Sequence, residues 1–181
     1  METIVFVRHG EKPAADLGQL NLQGLNRALA LPNVLIPKYG KADAVFAPGT
    51  RKKLTKNGVQ YSYVRPLVTI EPTAIRLGLP VEAQIGYDDI NGLRRALLQP
   101  RYEHSLIFVA WEHRMLQETV KKIVSSLGGD PAVIPEWPKG DFDSIYVIRI
   151  QSDGGKRSVT FRHDHEGLDG QSLKAPKPRG A

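Results

Sequence analysis

His9 and His113 are the residues whose placement in this chain invites chemistry. Each ends a short apolar run. Ile4-Val5-Phe6-Val7 leads into Arg8-His9-Gly10, and Leu106 to Trp111 leads into Glu112-His113-Arg114. An imidazole titrates near neutrality, so either ring can act as nucleophile, proton carrier or ligand. Arg8 and Arg114 stand beside them, and a guanidinium presents a planar fork suited to phosphate. Gly10 has no Cβ, which would let the backbone pass close to such an anion. A nucleophile set between cations suits phosphoryl transfer, where the protein chiefly positions groups and stabilises charge. One histidine at a strand end is ordinarily a surface or capping residue. Two at matching positions point to one shared pocket, because open α/β sheets bind ligands beyond the carboxyl ends of their strands.

The elements that must position these residues follow from periodicity. Thr3–Val7, Ala42–Ala47 and Ser105–Trp111 read as buried strands, and Val81–Ile85 as a weaker one. Helical spacing covers Leu22–Leu31, stopped by Pro32, then Pro66–Leu77, Ile90–Leu98 and Met115–Leu127. Pro72 inside the second of these predicts a kink or an early break. Arg51–Gly58 reads as a polar, basic excursion. Ser144–Gln151 and Arg157–Arg162 flank Ser152-Asp153-Gly154-Gly155-Lys156, a hairpin signal. Strands alternating with helices predict an α/β fold: a three-layer sandwich with a mostly parallel central sheet flanked by helices, closed by a C-terminal β-hairpin.

Composition narrows the chemistry. With 181 residues, one domain is expected over 1–168, followed by a flexible, basic, Pro-rich tail over 169–181 that carries Lys174, Lys177 and Arg179. The absence of cysteine excludes a disulfide framework, a thiolate zinc site and a cysteine nucleophile. The net charge of +6 is compatible with anionic partners, but no basic stripe is interleaved with aromatics, so nucleic acid is not expected. No apolar run approaches membrane-spanning length and no signal peptide is visible, so a cytoplasmic protein without membrane contact is expected. His163-Asp164-His165 alternates at strand spacing, but with no third ligand in sight a metal site is not expected, and a polar strand end is the plainer reading. His104 reads as solvent-exposed, and Trp111 and Trp137 as core or pocket-mouth residues.

The stretch Ile4-Val5-Phe6-Val7-Arg8-His9-Gly10-Glu11 resembles the opening strand and motif of the histidine phosphatase superfamily, the phosphoglycerate-mutase-like fold. Leu22 to Ala28, Arg65-Pro66-Leu67-Val68-Thr69 with Leu77-Gly78-Leu79, and Leu106–His113 are similar to further family segments, in the family's order over about residues 3–128. The resemblance implies a small bacterial-type phosphatase in which His9 attacks phosphorus and carries a phosphohistidine intermediate. Arg8, Arg65 and His113 would hold the non-bridging oxygens, with Gly10, Glu11, Lys12 and Arg51 as further substrate contacts. No metal or cofactor is implied. The substrate would be a small anionic phosphorylated molecule or a phosphoprotein.

Departures from the family pattern matter as much. Ala47-Pro48-Gly49-Thr50-Arg51 stands where the family has a Ser-Pro stretch, so Arg51 competes with Arg65 as the second phosphate arginine; the helix after Arg65 favours Arg65. The asparagine expected after Arg8-His9-Gly10 is missing, and Glu112 replaces a small residue before His113. The general acid that would protonate the leaving group is therefore open between Glu112, the segment holding Glu82, Asp88 and Asp89, and no dedicated acid. Glu112 could instead serve only to orient a neighbour. The leading expectation is a metal-independent phosphomonoesterase. A non-catalytic phosphate-binding module on the same fold and a phosphomutase are the alternatives.

Overall fold

The structure is a computed structural model and describes residues 1–176. Its central sheet takes six strands in an order set by burial. Strand β1 (Glu2–Arg8) is apolar on both faces and occupies the interior, as a parallel strand covered by helices must. It pairs in parallel with β6 (Leu106–Trp111) and antiparallel with β7 (Ser144–Asp153). Beyond β6 lie β2 (Ala44–Phe46) and β5 (Val81–Glu82), and beyond β7 lies β8 (Lys156–His165). The sheet order is β5-β2-β6-β1-β7-β8. The α/β sandwich and C-terminal β-hairpin expected from periodicity are present.

Side-chain alternation along β1 divides the core. Val5 and Val7 face helices α1 (Leu22–Ala30), α2 (Pro32–Tyr39) and α3 (Arg65–Leu77), while Ile4 and Phe6 face α4 (Ile90–Leu97) and α5 (His113–Ser126). The connection leaving β1 runs outward past β6 to β2, whereas the one leaving β6 runs the other way past β1 to β7. Their divergence opens a crevice at the carboxyl ends of β1 and β6, where Arg8 pairs with Trp111 and the main-chain N–H of His9 donates to the Trp111 carbonyl at 3.2 Å.

Three local expectations are corrected. Pro32 does not end the helical region; it is the first residue of α2, where its missing N–H costs nothing. Pro72 neither breaks nor shortens α3, which runs unbroken from Arg65 to Leu77. The basic excursion is a second, two-stranded sheet, β3 (Lys53–Lys56) and β4 (Val59–Ser62), turning at Asn57 and Gly58 with φ of 50° and 75°.

Behind the sheet end, Arg27 of α1 is fully buried among Glu11, Asp143, Glu166 and Asp169. Asn26 donates to the carbonyls of Ser172 and Lys174 at 2.7 and 2.8 Å, so residues assigned to the tail from sequence are tied to α1. Lys177 and Arg179 lie outside the described residues. Among the described residues no helix is long and apolar enough to cross a membrane.

Candidate active site

His9 is 2 % exposed, and its Nδ1 lies 2.7 Å from the Gly10 carbonyl oxygen. A carbonyl only accepts, so Nδ1 carries the proton and Nε2 keeps its lone pair. Burial disfavours the imidazolium, the Gly10 bond resists, and Arg65 and Arg8 disfavour it further, which leaves the pKa at about 3. The ring is therefore neutral at physiological pH. The turn that carries it is held from α3, where the Gly10 N–H donates to Thr69 Oγ1 at 2.9 Å, and by packing against α1. A Cβ on Gly10 would meet the Gly24 backbone at 2.9 Å. The glycine is required by this backbone-on-backbone contact. Its N–H is already taken by Thr69 Oγ1.

Arg8 ends β1 and is held from the segment before β7. Its Nη1 donates to the carbonyls of Lys139 and Asp141 at 2.8 and 2.6 Å, and its guanidinium stacks 3.9 Å from the Phe142 ring centroid. Burial lowers its pKa to about 10, so it stays charged. Arg65 opens α3; its Nη1 donates to the Asp16 carbonyl at 2.7 Å and to the Asp16 carboxylate, and its guanidinium sits 4.7 Å from the Tyr63 ring. His113 opens α5 beside Glu112, the residue that caps the helix by accepting the Met115 N–H at 2.9 Å. The other Glu112 oxygen lies 2.7 Å from His113 Nδ1, close enough for an ion pair though out of line with the ring N–H.

Arg65, His113, Tyr63, Tyr87, Trp137 and Leu54 line a cavity of about 720 Å³, with Lys12 and Asp16 at one side. His9 and Arg8 sit behind that wall, with the rings of Tyr63 and Phe142 centred 6.1 and 6.0 Å from His9. Arg8 Nε, Arg65 Nε and the Tyr63 hydroxyl are buried with no hydrogen-bond partner, while His113 Nδ1 faces the Glu112 carboxylate. Each unsatisfied group costs about 1–3 kcal/mol. Such a set around a neutral imidazole is what an anion with several oxygens would satisfy.

No family model and no curated protein sequence matches the chain. Solved structures do, along nearly its whole length. A protein of Nakamurella multipartitia named as phosphohistidine phosphatase SixA aligns over 92 % of this chain and 96 % of its own, with a TM-score of 0.59 at 16 % identity. The phosphoglycerate mutase of Plasmodium falciparum aligns over 99 % and 95 %, at 0.56 and 12 %. A mycobacterial glucosyl-3-phosphoglycerate phosphatase aligns over 89 % and 97 %, at 0.53 and 13 %. The chain has the phosphoglycerate-mutase-like fold.

On that fold the structure brings together His9, His113, Arg8 and Arg65, the four residues expected to contact phosphate, and Lys12 joins them at the rim. Arg51 is exposed and does not line the cavity, whereas Arg65 does. Glu11 points away, bonded to buried Arg27 at 2.8 Å, and so supports the His9 turn without facing substrate. Glu112 is set as a carboxylate between His113 and the Met115 N–H. Burial alone would raise its pKa, but His113 and the Met115 N–H hold it at about 2, so it is ionised and orients His113. Of the other acidic candidates, Asp88 pairs with Lys52, Asp89 caps α4, and Glu82 lies in β5 off the cavity wall.

Two features escaped sequence reasoning. Asp16, held at about 2 by Lys12, Lys56 and Arg65 against the effect of burial, places a carboxylate on the cations a phosphate would use. Tyr63 carried no spacing signal at all. Trp111 is core, its Nε1 donating to the Tyr87 carbonyl, whereas Trp137 is both buried and cavity-lining. His104 is exposed as expected. His163 contacts Ser144 Oγ through Nε2 at 2.7 Å, and among the described residues no cluster suited to a metal forms around it.

Proposed function

We propose that this protein is a phosphatase of the histidine phosphatase superfamily that works through a phosphohistidine on His9. The observation that carries the reading is the His9–Gly10 hydrogen bond, which leaves Nε2 unprotonated beside two guanidinium groups with unpaired Nε donors. In the first step the Nε2 lone pair forms a bond to phosphorus, and the bond from phosphorus to the leaving atom breaks with its electron pair. Arg8, Arg65 and His113 balance the charge on the non-bridging oxygens. Water then attacks phosphorus, the N–P bond breaks back to neutral His9, and orthophosphate departs.

Because Glu112 is ionised and Asp88 and Asp89 are engaged elsewhere, the site favours substrates whose leaving group departs without a strong proton donor. Phosphoramidates, including phosphohistidine on another protein, meet that condition, and the similarity to a protein named as a phosphohistidine phosphatase supports the same class. Hydrolysis is favoured over mutase chemistry by the open rim, where the Arg114 side chain is 75 % exposed and water reaches the cavity.

The test is hydrolysis of p-nitrophenyl phosphate and of a phosphoramidate in EDTA between pH 5 and 8, with alkaline quenching to trap phosphohistidine. Wild type should turn over both and retain label on His9, and His9→Ala should do neither. Turnover that survives His9→Ala would overturn the mechanism.

A further inference from the structure

Tyr63 stands between the cavity and the nucleophile with an unexplained polar atom. Its side chain is 1 % exposed, yet its ring lines the cavity. Four contacts surround it: the His9 ring edge-on at 6.1 Å, the Arg65 guanidinium 4.7 Å from its centroid, the Tyr87 ring at 5.2 Å, and the cavity itself. Arg65 lies near enough to act on the phenol electrostatically, yet no neighbour makes a well-formed hydrogen bond to the hydroxyl, which is buried. The apolar core could have been filled by phenylalanine at this position, without an unpaired O–H. Arg65 Nε, on the side chain stacked against the same ring, is also unpaired. Two orphaned donors on stacked side chains imply one shared acceptor.

We propose that the Tyr63 hydroxyl is a further catalytic group of this site, donating a hydrogen bond to a non-bridging oxygen of the phosphoryl group as it passes to His9. Tyr63 and Arg65 then form one wall of the phosphoryl pocket, with Arg8 and His113 supplying the rest. Burial raises the Tyr63 pKa, so the group remains a donor throughout the working range. This assignment rests on the phosphatase reading above.

Tyr63→Phe keeps the ring and its packing and removes only the hydroxyl, so stability and function should separate. With p-nitrophenyl phosphate in EDTA, kcat/KM should fall about 100-fold, the scale of losing one donor to a developing oxyanion. Calorimetric binding of inorganic phosphate and of orthovanadate should weaken about tenfold. Tm should stay level or rise, because a buried unsatisfied hydroxyl has been removed. Tyr61→Phe, in β4 and off the cavity wall, should leave all three readings unchanged. A Tyr63→Phe protein of raised Tm with kcat/KM and phosphate affinity within twofold of wild type would overturn the assignment, as would a wild type that binds neither anion. Turnover retained in His9→Ala would sink the phosphohistidine reading alone, because the anion-binding comparison still measures the Tyr63 contribution.

Discussion

Gly24→Ala offers a test in which local and tertiary physics predict opposite signs. Gly24 is the third residue of α1, where alanine would normally stabilise the helix by about 1 kcal/mol. Its Cα faces the turn that carries His9. A Cβ there would stand 2.7 Å from the Glu11 nitrogen and nearer still to the Glu11 carbonyl oxygen, against atoms that are backbone and cannot rotate away. Relieving that overlap to an ordinary contact above 3.4 Å requires a shift of roughly 1 Å in the Glu11 segment or in α1. Neither moves freely, because Asn21 caps α1 through the Gly24 N–H, its own N–H bonds the Glu11 carbonyl, and Arg27 grips the Glu11 carboxylate. Overpacking of this kind costs about 1–3 kcal/mol, enough to outweigh the propensity gain. Glu11 is two residues from His9, and a displacement near 1 Å at a reacting atom costs about 100-fold in rate. Urea unfolding should therefore show net destabilisation, and p-nitrophenyl phosphate assays a fall in kcat/KM of about that size. A variant that is more stable than wild type and fully active would refute the claim that this contact sets the nucleophile.

Three further outcomes follow from the same geometry. Arg65→Ala should lower kcat/KM by about 100-fold or more, whereas Arg51→Ala, on an exposed residue off the cavity wall, should stay within about threefold in the same assay. Asp16→Asn should tighten inorganic phosphate binding by about three- to tenfold in calorimetry, because it removes the carboxylate competing for Lys12, Lys56 and Arg65; asparagine tolerates the φ of 70° at this position. Arg27→Met should destabilise by about 3–5 kcal/mol in urea, since it strands buried carboxylates. The pH dependence of the same cluster has a definite sign. Burial raises the Glu166 pKa to about 8, above the ordinary 4.5, so between those values the folded state holds more protons than the unfolded chain. Stability is then full below about pH 4.5 and declines as pH rises toward 8. Glu166→Gln should flatten that decline between pH 7 and 8 in urea titrations.

What was legible in the sequence is what depends on runs and ends. The β1 and β6 strands are unbroken apolar runs, so their termini, and with them Arg8, His9 and His113, are placed correctly by sequence alone. Arg65 was legible as the start of a helix, though telling it from Arg51 needed the cavity wall. The β3–β4 hairpin reads in sequence only as a basic excursion, because its strands expose most residues and show lysine where alternation would show an apolar face. Pro32 misled for a related reason: proline signals a helix end and a helix beginning with equal force, and only the burial of Leu35 against the sheet decides which.

The site residues whose partners sequence could not supply all depend on contacts across the fold. Glu112 looks like an acid at a strand end, and becomes an orienter only when its two oxygens meet the Met115 N–H and His113. Glu11 follows His9 in sequence, yet its partner is Arg27, 16 residues away. Gly10 lies against Gly24, where a Cβ would not fit, and the motif gives no sign of that contact. In each case the residue type was noticed and its partner was not, since a motif records which groups lie near the chemistry and only packing decides which of them face it. Tyr63 is the converse. It belongs to no motif, and it draws notice because every contact around it satisfies its ring and none its hydroxyl.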